Sequence, residues 1–252
     1  MTAPGRGAPG RGALAGRAAI VTGASRGIGR ATAEALAAAG AHVALVSRSA
    51  EALEDLAARL RAAHGVAAHV VPCDVRDTAA VDAAVGRLRD ALGGAPDVLV
   101  NNAGVFPLAP IAETSAVEFA ATLDANLVAP FAFVRAFVGD MRARGSGHLV
   151  TVGSIADRMT FPENGAYAAS KYGLRALHEV LRAELRGSGV RASLVSPGPV
   201  DTTLWDAIGP DERPGFTPRA LMLRPEAVAD AIVWVAAQPA AVNIDELRLT
   251  HA

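Results

Sequence analysis

The sequence contains very little cysteine, no long apolar run and no excess of charge of either sign. Cys73 is the only cysteine, which excludes an intramolecular disulfide framework and argues against a metal site. No run of about 18 apolar residues occurs, so we expect no membrane span. The 24 basic and 25 acidic residues leave a net charge of −1, whereas nucleic-acid binders usually carry a clear basic excess. We therefore expect neither a nucleic acid nor a membrane as a partner.

Lysine is also almost absent. Lys171 is the only lysine, so 23 of the 24 basic residues are arginine. Hydrophobic residues make up 51 % of the chain, which is enough to form a core. A chain of 252 residues and 25.6 kDa is typical of one sizeable α/β domain. A single lysine in an arginine-rich chain indicates that this position has a specific role.

The first 13 residues differ in composition from the rest of the chain. The unit PGRGA occurs twice there, at 4–8 and 9–13. So much glycine and proline cannot bury apolar surface, and we expect a disordered tail at 1–13. The tail lacks the apolar stretch of a signal peptide, so we predict a cytoplasmic protein. Residues 14–252 are then expected to form a single domain.

Beyond the tail, short β-branched runs alternate with alanine-rich helical stretches. Strands are predicted at 17–22, 42–47, 67–72, 97–100, 148–152, 190–195 and 244–249, and helices at 27–39, 50–63, 78–92, 115–144, 166–186 and 225–237. Such alternation predicts an α/β fold with a parallel sheet and helices on both faces. The proline-rich stretch after the sixth strand is long and irregular, so we expect a lid at about 198–224.

A glycine-rich turn, TGASRGIG, joins the first predicted strand to the first predicted helix at 22–29. Glycine allows the backbone to turn tightly and to approach a ligand, and the helix offers free N–H groups to a pyrophosphate. The glycines stand in the order G-x-x-x-G-x-G rather than the commoner G-x-G-x-x-G, so a purely structural turn is the alternative. The candidate contacts are Gly23, Ser25, Arg26, Gly27, Ile28 and Gly29.

The end of the second predicted strand is expected to face the ribose of a dinucleotide. An acidic residue there would bind a 2′-hydroxyl, but the sequence has Ser47 and Arg48. A guanidinium pairs with a 2′-phosphate, and Arg26 in the glycine turn adds a second cation. We therefore predict NADP(H) in preference to NAD(H). The alternative is that Arg48 is an ordinary solvated side chain.

Tyr167 and Lys171 lie four residues apart on a predicted helix and so share one face. A free phenol has a pKa of about 10, and a nearby ammonium stabilises the phenolate. Tyr167 is then a candidate general acid and base for a carbonyl or alcohol. Ser154, at the end of the fifth predicted strand, is placed to hydrogen-bond the substrate oxygen. A surface Tyr–Lys pair and a strand-ending serine are the alternatives.

Five motifs occur in an order that resembles the short-chain dehydrogenases/reductases. They are TGASRGIG at 22–29, Asn101-Asn102-Ala103-Gly104, Ser154, Tyr167 with Lys171, and Pro197-Gly198. The resemblance covers about residues 14–250. It implies a Rossmann-like, doubly wound sheet of seven parallel strands and catalysis by Ser154, Tyr167 and Lys171. It also implies a dimer or homotetramer formed through the helices that bear Asn126 and Tyr167.

The resemblance assigns further residues to the catalytic and cofactor sites. Asn126 matches an asparagine that completes a proton relay through Lys171. Lys171 would also hold the nicotinamide ribose. The remaining cofactor contacts implied are Asp74, Val75, Asn102, Ala103, Gly104, Pro197, Gly198, Val200 and Thr202. The ending at 242–252 departs from the glycine-containing ending of many members and looks more like the branch that acts on 3-hydroxy acids and related small alcohols.

Three functions are compatible with these observations. The first is an NADP(H)-dependent carbonyl reductase or alcohol dehydrogenase, for which every catalytic residue type is present. The second is a non-catalytic nucleotide-binding regulatory or scaffold protein on the same fold. The third is a methyltransferase, which would leave the Ser–Tyr–Lys spacing without a reason. Walls of the substrate pocket are expected from 104–108, 155–164 and the stretch after Pro197, including Phe106, Met159, Phe161, Trp205 and Phe216.

Overall fold

The computed structural model of the chain describes residues 12–252, so residues 1–11 of the predicted tail lie outside the described residues. The strands are β1 (Ala18–Thr22), β2 (His42–Ser47), β3 (Ala68–Pro72), β4 (Val98–Asn101), β5 (Gly147–Val152), β6 (Val190–Pro197) and β7 (Glu246–Leu249). The helices are α1 (Gly27–Ala38), α2 (Ala50–His64), α3 (Thr78–Leu92), α4 (Ala116–Leu123), α5 (Ala129–Arg144), α6 (Gly165–Glu184) and α7 (Pro225–Ala236). Each predicted strand is present, with its ends shifted by at most two residues.

The seven strands form one parallel sheet in the order β3-β2-β1-β4-β5-β6-β7. The chain therefore moves outward from β1 to β3, returns to the centre at β4 and moves outward on the other side. This reversal opens a crevice beyond the carboxyl ends of β1 and β4, which is where doubly wound sheets bind ligands. The predicted Rossmann-like fold is confirmed.

Alternate side chains of the central strands enter two separate cores. Val21 of β1 packs with the helices α1, α2 and α7 on one face, and Ile20 packs with α3 and α5 on the other. Period-2 alternation of this kind is what a strand buried on both faces requires. Phe133 and Phe137 of α5 are the largest fully buried side chains. Both faces are thus covered, and the sheet holds the loops at its carboxyl edge in place.

The predicted helix at 115–144 is interrupted by a wider turn. A π-helical segment, Asp124–Val128, separates α4 from α5. The whole stretch Ala116–Arg144 has the length and composition of a membrane span, a test that core helices also pass. Here Phe133, Phe137 and Met141 pack under the sheet. Single-turn π-helices are frequent at functional sites, and this one contains Asn126.

Candidate active site

A cavity of about 810 Å³ lies at the carboxyl edge of the sheet. It is lined by nearly all the residues predicted to contact a cofactor or to catalyse: Gly23, Ser25, Arg26, Gly27, Ile28, Ser47, Arg48, Asp74, Val75, Asn102, Ala103, Gly104, Ser154, Tyr167, Lys171, Pro197, Gly198, Val200 and Thr202. Only Gly29 and Asn126 of the predicted set are absent from the lining. The structure thus brings the predicted nucleotide-binding turn and the predicted catalytic residues to one cleft.

The glycine turn is shaped by close backbone contacts. Gly23 has a φ of 69°, and a Cβ on it would lie 2.9 Å from the Cα of Ala103. A Cβ on Gly29 would lie 2.2 Å from the carbonyl oxygen of Gly23. Gly29 therefore supports the turn from behind instead of lining the cavity. With the turn held in this way, the first residues of α1, Gly27 and Ile28, line the cleft, where a helix N-terminus favours an anion.

Thr22 and Asn102 fasten the glycine turn to the end of β4. The Thr22 hydroxyl accepts hydrogen bonds from the backbone N–H groups of Asn102 and Ala103, both at 3.0 Å. The Asn102 amide donates in return to the carbonyl oxygen of Thr22 at 2.9 Å. Thr22 was not among the predicted site residues, because its sequence position alone identifies it only as the last residue of a strand.

The far end of the cavity carries the groups expected to recognise a 2′-phosphate. Ser47 is buried, and its Oγ atom has no hydrogen-bond partner among the described residues. Arg48 and Arg26 are exposed at the rim and form no ion pair within the described part of the chain. An unsatisfied buried hydroxyl next to two unpaired guanidiniums fits a phosphorylated ribose well.

Asp74, predicted to contact adenine, faces the same end of the cavity. Its carboxylate accepts a hydrogen bond from Nη2 of Arg76 at 2.6 Å, and this bond lowers the Asp74 pKa to about 2. Arg76 also lines the cavity, although no sequence motif singles it out. The pair contributes no net charge, so the positive field at this end comes from Arg48 and Arg26. Cys73 beside it is a buried free thiol whose pKa burial raises to about 11.

The candidate catalytic side chains converge where β5 meets α6. The Oγ atom of Ser154 accepts a hydrogen bond from the backbone N–H of Ala156 at 3.1 Å. Lys171 is buried and donates from Nζ to the carbonyl oxygen of Val152 at 3.1 Å. The same Nζ lies 5.6 Å from the centre of the Tyr167 ring. The helical spacing has therefore placed the phenol and the ammonium side by side, as predicted.

Burial dominates the acid–base properties of this pair. It raises the pKa of the Tyr167 phenol, an effect that the Ser154 hydroxyl opposes and the charge of Asp157 reinforces. Burial also lowers the Lys171 pKa to about 8, against the opposing attraction of Asp157. The expected lowering of the Tyr167 pKa by Lys171 is therefore not found in the protein alone: desolvation raises the pKa of the phenol, and the group that lowers it is the Ser154 hydroxyl.

The shifted pKa of Lys171 predicts a pH-dependent stability. Between about pH 8 and the ordinary value of 10.5, the unfolded chain binds more protons than the folded chain, so stability gains with rising pH. We expect cofactor-free wild type to gain about 2 kcal/mol between pH 8 and pH 10 relative to Lys171→Met. Urea unfolding followed by circular dichroism at both pH values measures this difference. A difference that stays constant or shrinks as pH rises would contradict the buried, easily deprotonated amine.

Asn126 lies behind the cavity in the π-helical segment. Its Oδ1 atom accepts from the backbone N–H of Val105 at 2.8 Å, and its Nδ2 atom donates to Val105 and to Ser170 at 3.0 Å. The side chain is therefore fully used in tying the loop after β4 to α6. Among the described residues it makes no hydrogen bond to Lys171, so its part in a proton relay stays a prediction.

Asp157, which was not among the predicted site residues, is a buried carboxylate that acts on the pKa values of Tyr167 and Lys171. It is 1 % exposed and accepts hydrogen bonds from Ser196 at 2.7 Å and from Arg158 at 2.8 Å. Arg158 also pairs with Glu246 of β7. This network fixes the segment after Ser154 to the edge of the sheet. Ser196 and Glu246 lie far from Asp157 in the sequence, so no local pattern reveals this network.

Aromatic side chains enclose the substrate end of the cavity. Phe106, Phe161 and Trp205 line it, as predicted. Met159 and Phe216 were also predicted as walls but are absent from the lining. Met159 is 59 % exposed, and Phe216 packs behind Phe161 and Trp205. Within the described residues, no three His, Cys, Asp or Glu side chains are grouped so as to hold a metal ion.

A parallel sheet with a glycine turn at its switch point and a Tyr–Lys pair in the same cleft defines a nucleotide-dependent oxidoreductase. The sequence model of short chain dehydrogenases matches residues 17–213. The chain belongs to this family, and the predicted class of enzyme, a dehydrogenase/reductase, is confirmed.

Individual relatives support the same assignment. D-threitol dehydrogenase of Mycolicibacterium smegmatis is 39% identical over 233 residues, which cover 91% of this chain and 89% of that protein. Glycine betaine reductase of Emericella nidulans is 39% identical over 242 residues, which cover 95% of this chain. This chain spans only 19% of the length of that protein. The structure of an alcohol dehydrogenase from Thermococcus sibiricus complexed with 5-hydroxy-NADP superposes with a TM-score of 0.84 at 31% identity, and covers 94% and 97% of the two chains.

Proposed function

We propose that this protein is an NADP(H)-dependent carbonyl reductase that interconverts ketones and secondary alcohols. The observation that carries the proposal is the position of Tyr167, beside Lys171 and Ser154, in the cleft that the glycine turn opens. Bound NADPH would supply the hydride. The carbonyl carbon would accept that hydride and the carbonyl oxygen would take the phenolic proton of Tyr167, so that the ketone is reduced to an alcohol with NADPH as the two-electron reductant.

The chain's own residues divide the work of this reaction. The Ser154 hydroxyl donates a hydrogen bond to the carbonyl oxygen as negative charge develops there. Tyr167, whose raised pKa keeps it protonated at neutral pH, delivers its proton to that oxygen. Lys171 would hold the ribose hydroxyls of the bound cofactor, and its ammonium would limit the cost of the phenolate left behind. We assign Asn126 a supporting role, in which it keeps the loop at Val105 against α6.

The preference for NADP(H) rests on the end of β2. Arg48 and Arg26 supply positive charge at the rim, and Ser47 supplies a buried hydroxyl free to bind. An acidic side chain that would bind the 2′-hydroxyl of NAD(H) is replaced at this position by Arg48. NAD(H) remains usable at lower efficiency, because most contacts of the two cofactors are shared.

The proposal is tested by the loss of NADPH absorbance at 340 nm in the presence of neutral ketones, keto acids and ketoses. We expect turnover with at least one class and faster turnover with NADPH than with NADH. A chain that binds NADPH by calorimetry but reduces no carbonyl would instead be the non-catalytic binding protein. Binding of neither cofactor would contradict both readings.

We also propose that the protein forms a homo-oligomer, a dimer or a tetramer, through α4, α5 and α6. These helices expose large apolar side chains that a monomer would leave in water: Val117, Phe119, Phe131, Tyr172 and Val180. Sedimentation velocity is expected to give a mass of at least twice 25.6 kDa. The double variant Phe131→Asp, Val180→Asp should shift the protein toward the monomer. A monomeric wild type would contradict the proposal.

Three further predictions stay with this proposal. Residues 14–252 are expected to act as one domain, in which 198–224 covers the cleft as a lid. Its contacts support this role, because Trp205 packs on Phe106 and Arg213 pairs with Glu163 at 2.6 Å. Glu163 has a φ of 70°, so its backbone is held in a conformation that few side chains adopt.

The predicted cytoplasmic location is open to test by cell fractionation.

A further inference from the structure

An unbroken row of aromatic rings leads away from the candidate proton donor. The Phe106 ring meets the Tyr167 ring edge-to-face, with 4.5 Å between centroids, and meets the Trp205 ring at 5.1 Å. Trp205 and Phe161 each lie 6.2 Å from Phe216, which supports them from behind. Four contacts of this geometry are at or near optimal separation for aromatic pairs. The wall beside the reacting carbon therefore consists mainly of ring faces and edges.

The polar atom of the tryptophan is already occupied. The indole N–H of Trp205 donates to the carbonyl oxygen of Val200 at 3.0 Å, so the ring offers the cavity only its carbon surface. Ile155, Leu204 and Val105 complete the apolar lining at this end. The side-chain hydroxyls here are those of Ser154, Tyr167, Thr202 and Thr203. Since Ser154 and Tyr167 are committed to the carbonyl oxygen, Thr202 and Thr203 are the side-chain hydroxyls left at this end for the several hydroxyls of a polyhydroxylated substrate, which would be incompletely paired.

Three arginines of the segments that carry this wall, 155–164 and 198–224, are neutralised by acidic partners. Arg158 pairs with Asp157 and Glu246, and Arg213 pairs with Glu163. Arg219 pairs with Asp201 at 2.7 Å and with Asp206 at 2.6 Å. None of these three arginines lines the cavity in the part of the chain that the structure describes. Lys171 is the cation that lines this end, and its ammonium is assigned to the ribose of the cofactor, so a carboxylate on the substrate would meet aromatic rings at a cost in desolvation.

We infer that the site takes a neutral ketone that carries an aromatic ring, and the matching aryl alcohol in the reverse direction. The ring packs against Phe106 and Trp205 while the carbonyl group reaches Ser154 and Tyr167. This inference rests on the proposed function for its chemistry, but the aromatic wall is observed independently of it. The inference therefore predicts that polyols and hydroxy acids are poorer substrates than aryl alcohols.

Substrate comparison gives the first test. With NADPH, kcat/KM for acetophenone is expected to exceed that for erythrulose, a neutral ketose, and for benzoylformate, an aryl ketone with a carboxylate. A margin of about tenfold over each follows from unpaired hydroxyls in one case and an unpaired charge in the other. If either comparison substrate equals or exceeds acetophenone, the inference is wrong, while the proposed reaction would stand.

The two tryptophans provide a matched pair of variants. Trp205→Ala is expected to raise KM for acetophenone about tenfold and to change kcat less, because it removes binding surface away from the reacting atoms. Trp234, the only other tryptophan, is 37 % exposed on α7 and outside the cavity, so Trp234→Ala should leave KM unchanged. NADP⁺ affinity measured on both variants verifies that they are folded, and Trp205→Leu replaces Trp205→Ala if the alanine variant does not fold. The inference is overturned if the Trp205 variant and Trp234→Ala have equal KM values for acetophenone. The same criterion holds when Trp205→Leu is used in place of Trp205→Ala.

A binding experiment separates this inference from the proposed reaction. In Trp234→Phe, Trp205 is the only tryptophan, so its fluorescence reports directly on the aromatic wall. Acetophenone is expected to quench this fluorescence saturably in the complex with NADP⁺, and erythrulose is not. Quenching without turnover by wild type would support the aromatic site and contradict the reductase. Turnover of other carbonyls without quenching by acetophenone would support the reductase and overturn the aromatic site. Absence of both turnover and quenching would also overturn the inference.

Discussion

Replacing Tyr167 by phenylalanine is expected to reduce kcat for ketone reduction by about 10²- to 10⁴-fold, the usual contribution of a positioned general acid. The variant keeps the ring that packs against Phe106 and loses only the hydroxyl. NADP⁺ affinity should change little, because the pyrophosphate and the 2′-phosphate bind elsewhere in the cleft. Stopped-flow measurement of NADPH oxidation, together with calorimetry of NADP⁺ binding, separates the two effects.

The chain supplies its own control for this experiment. Tyr172 is the only other tyrosine, lies on the same helix and is 44 % exposed outside the cavity. Tyr172→Phe removes the same hydroxyl without touching the cleft, and its kcat should match that of wild type. A Tyr167→Phe variant that also retained wild-type kcat would remove the proposed proton donor, whatever the cofactor.

Replacing Arg48 by aspartate is expected to change the choice of cofactor. The substitution removes the guanidinium that would pair with a 2′-phosphate and puts a repelling carboxylate in its place. The ratio of kcat/KM with NADPH to kcat/KM with NADH should fall by about a hundredfold or more. The carboxylate would also accept a hydrogen bond from the 2′-hydroxyl of NADH, so activity with NADH should rise.

A neighbouring arginine controls for the change in overall charge. Arg30 lies on α1 outside the cavity and pairs with Glu34 at 3.1 Å. Arg30→Asp changes the charge by the same amount near the same cleft, and we expect the cofactor ratio to move less than threefold, since solvent screens charges that lack direct contact. A ratio that is unaffected by Arg48→Asp, or equally affected by Arg30→Asp, would show that Arg48 does not select the cofactor.

Local pattern predicted much of this architecture. The alternation of apolar runs and helical stretches located all seven strands, because central strands buried on both faces, such as β1, β2 and β4, are short and apolar. The glycine turn, Ser154, and the Tyr167–Lys171 pair were accessible for a similar reason: each depends on spacing within one segment. That these distant segments meet in one cleft was also predictable, because parallel strands bring their carboxyl ends to one edge of the sheet.

Contacts between distant segments were not accessible in this way. Asp157 looks like an ordinary loop residue until β6 brings Ser196 to it and β7 brings Glu246 to its neighbour Arg158. The predicted continuous helix missed the π-helical turn around Asn126, whose side chain bonds to the distant Val105. By residue type alone, Arg213 and Arg219 could bind a carboxylate. The structure shows that Glu163 and Asp201 already neutralise them.

The solitary lysine has a practical consequence for spectroscopy. Apart from the terminal amine, the chain presents one primary amine, and it lies in the cleft with a pKa of about 8. Reductive methylation with isotopically labelled formaldehyde would therefore introduce a single side-chain NMR signal. That signal would report the protonation and surroundings of Lys171 in each ligand complex, without mutagenesis or assignment of the remaining 251 residues.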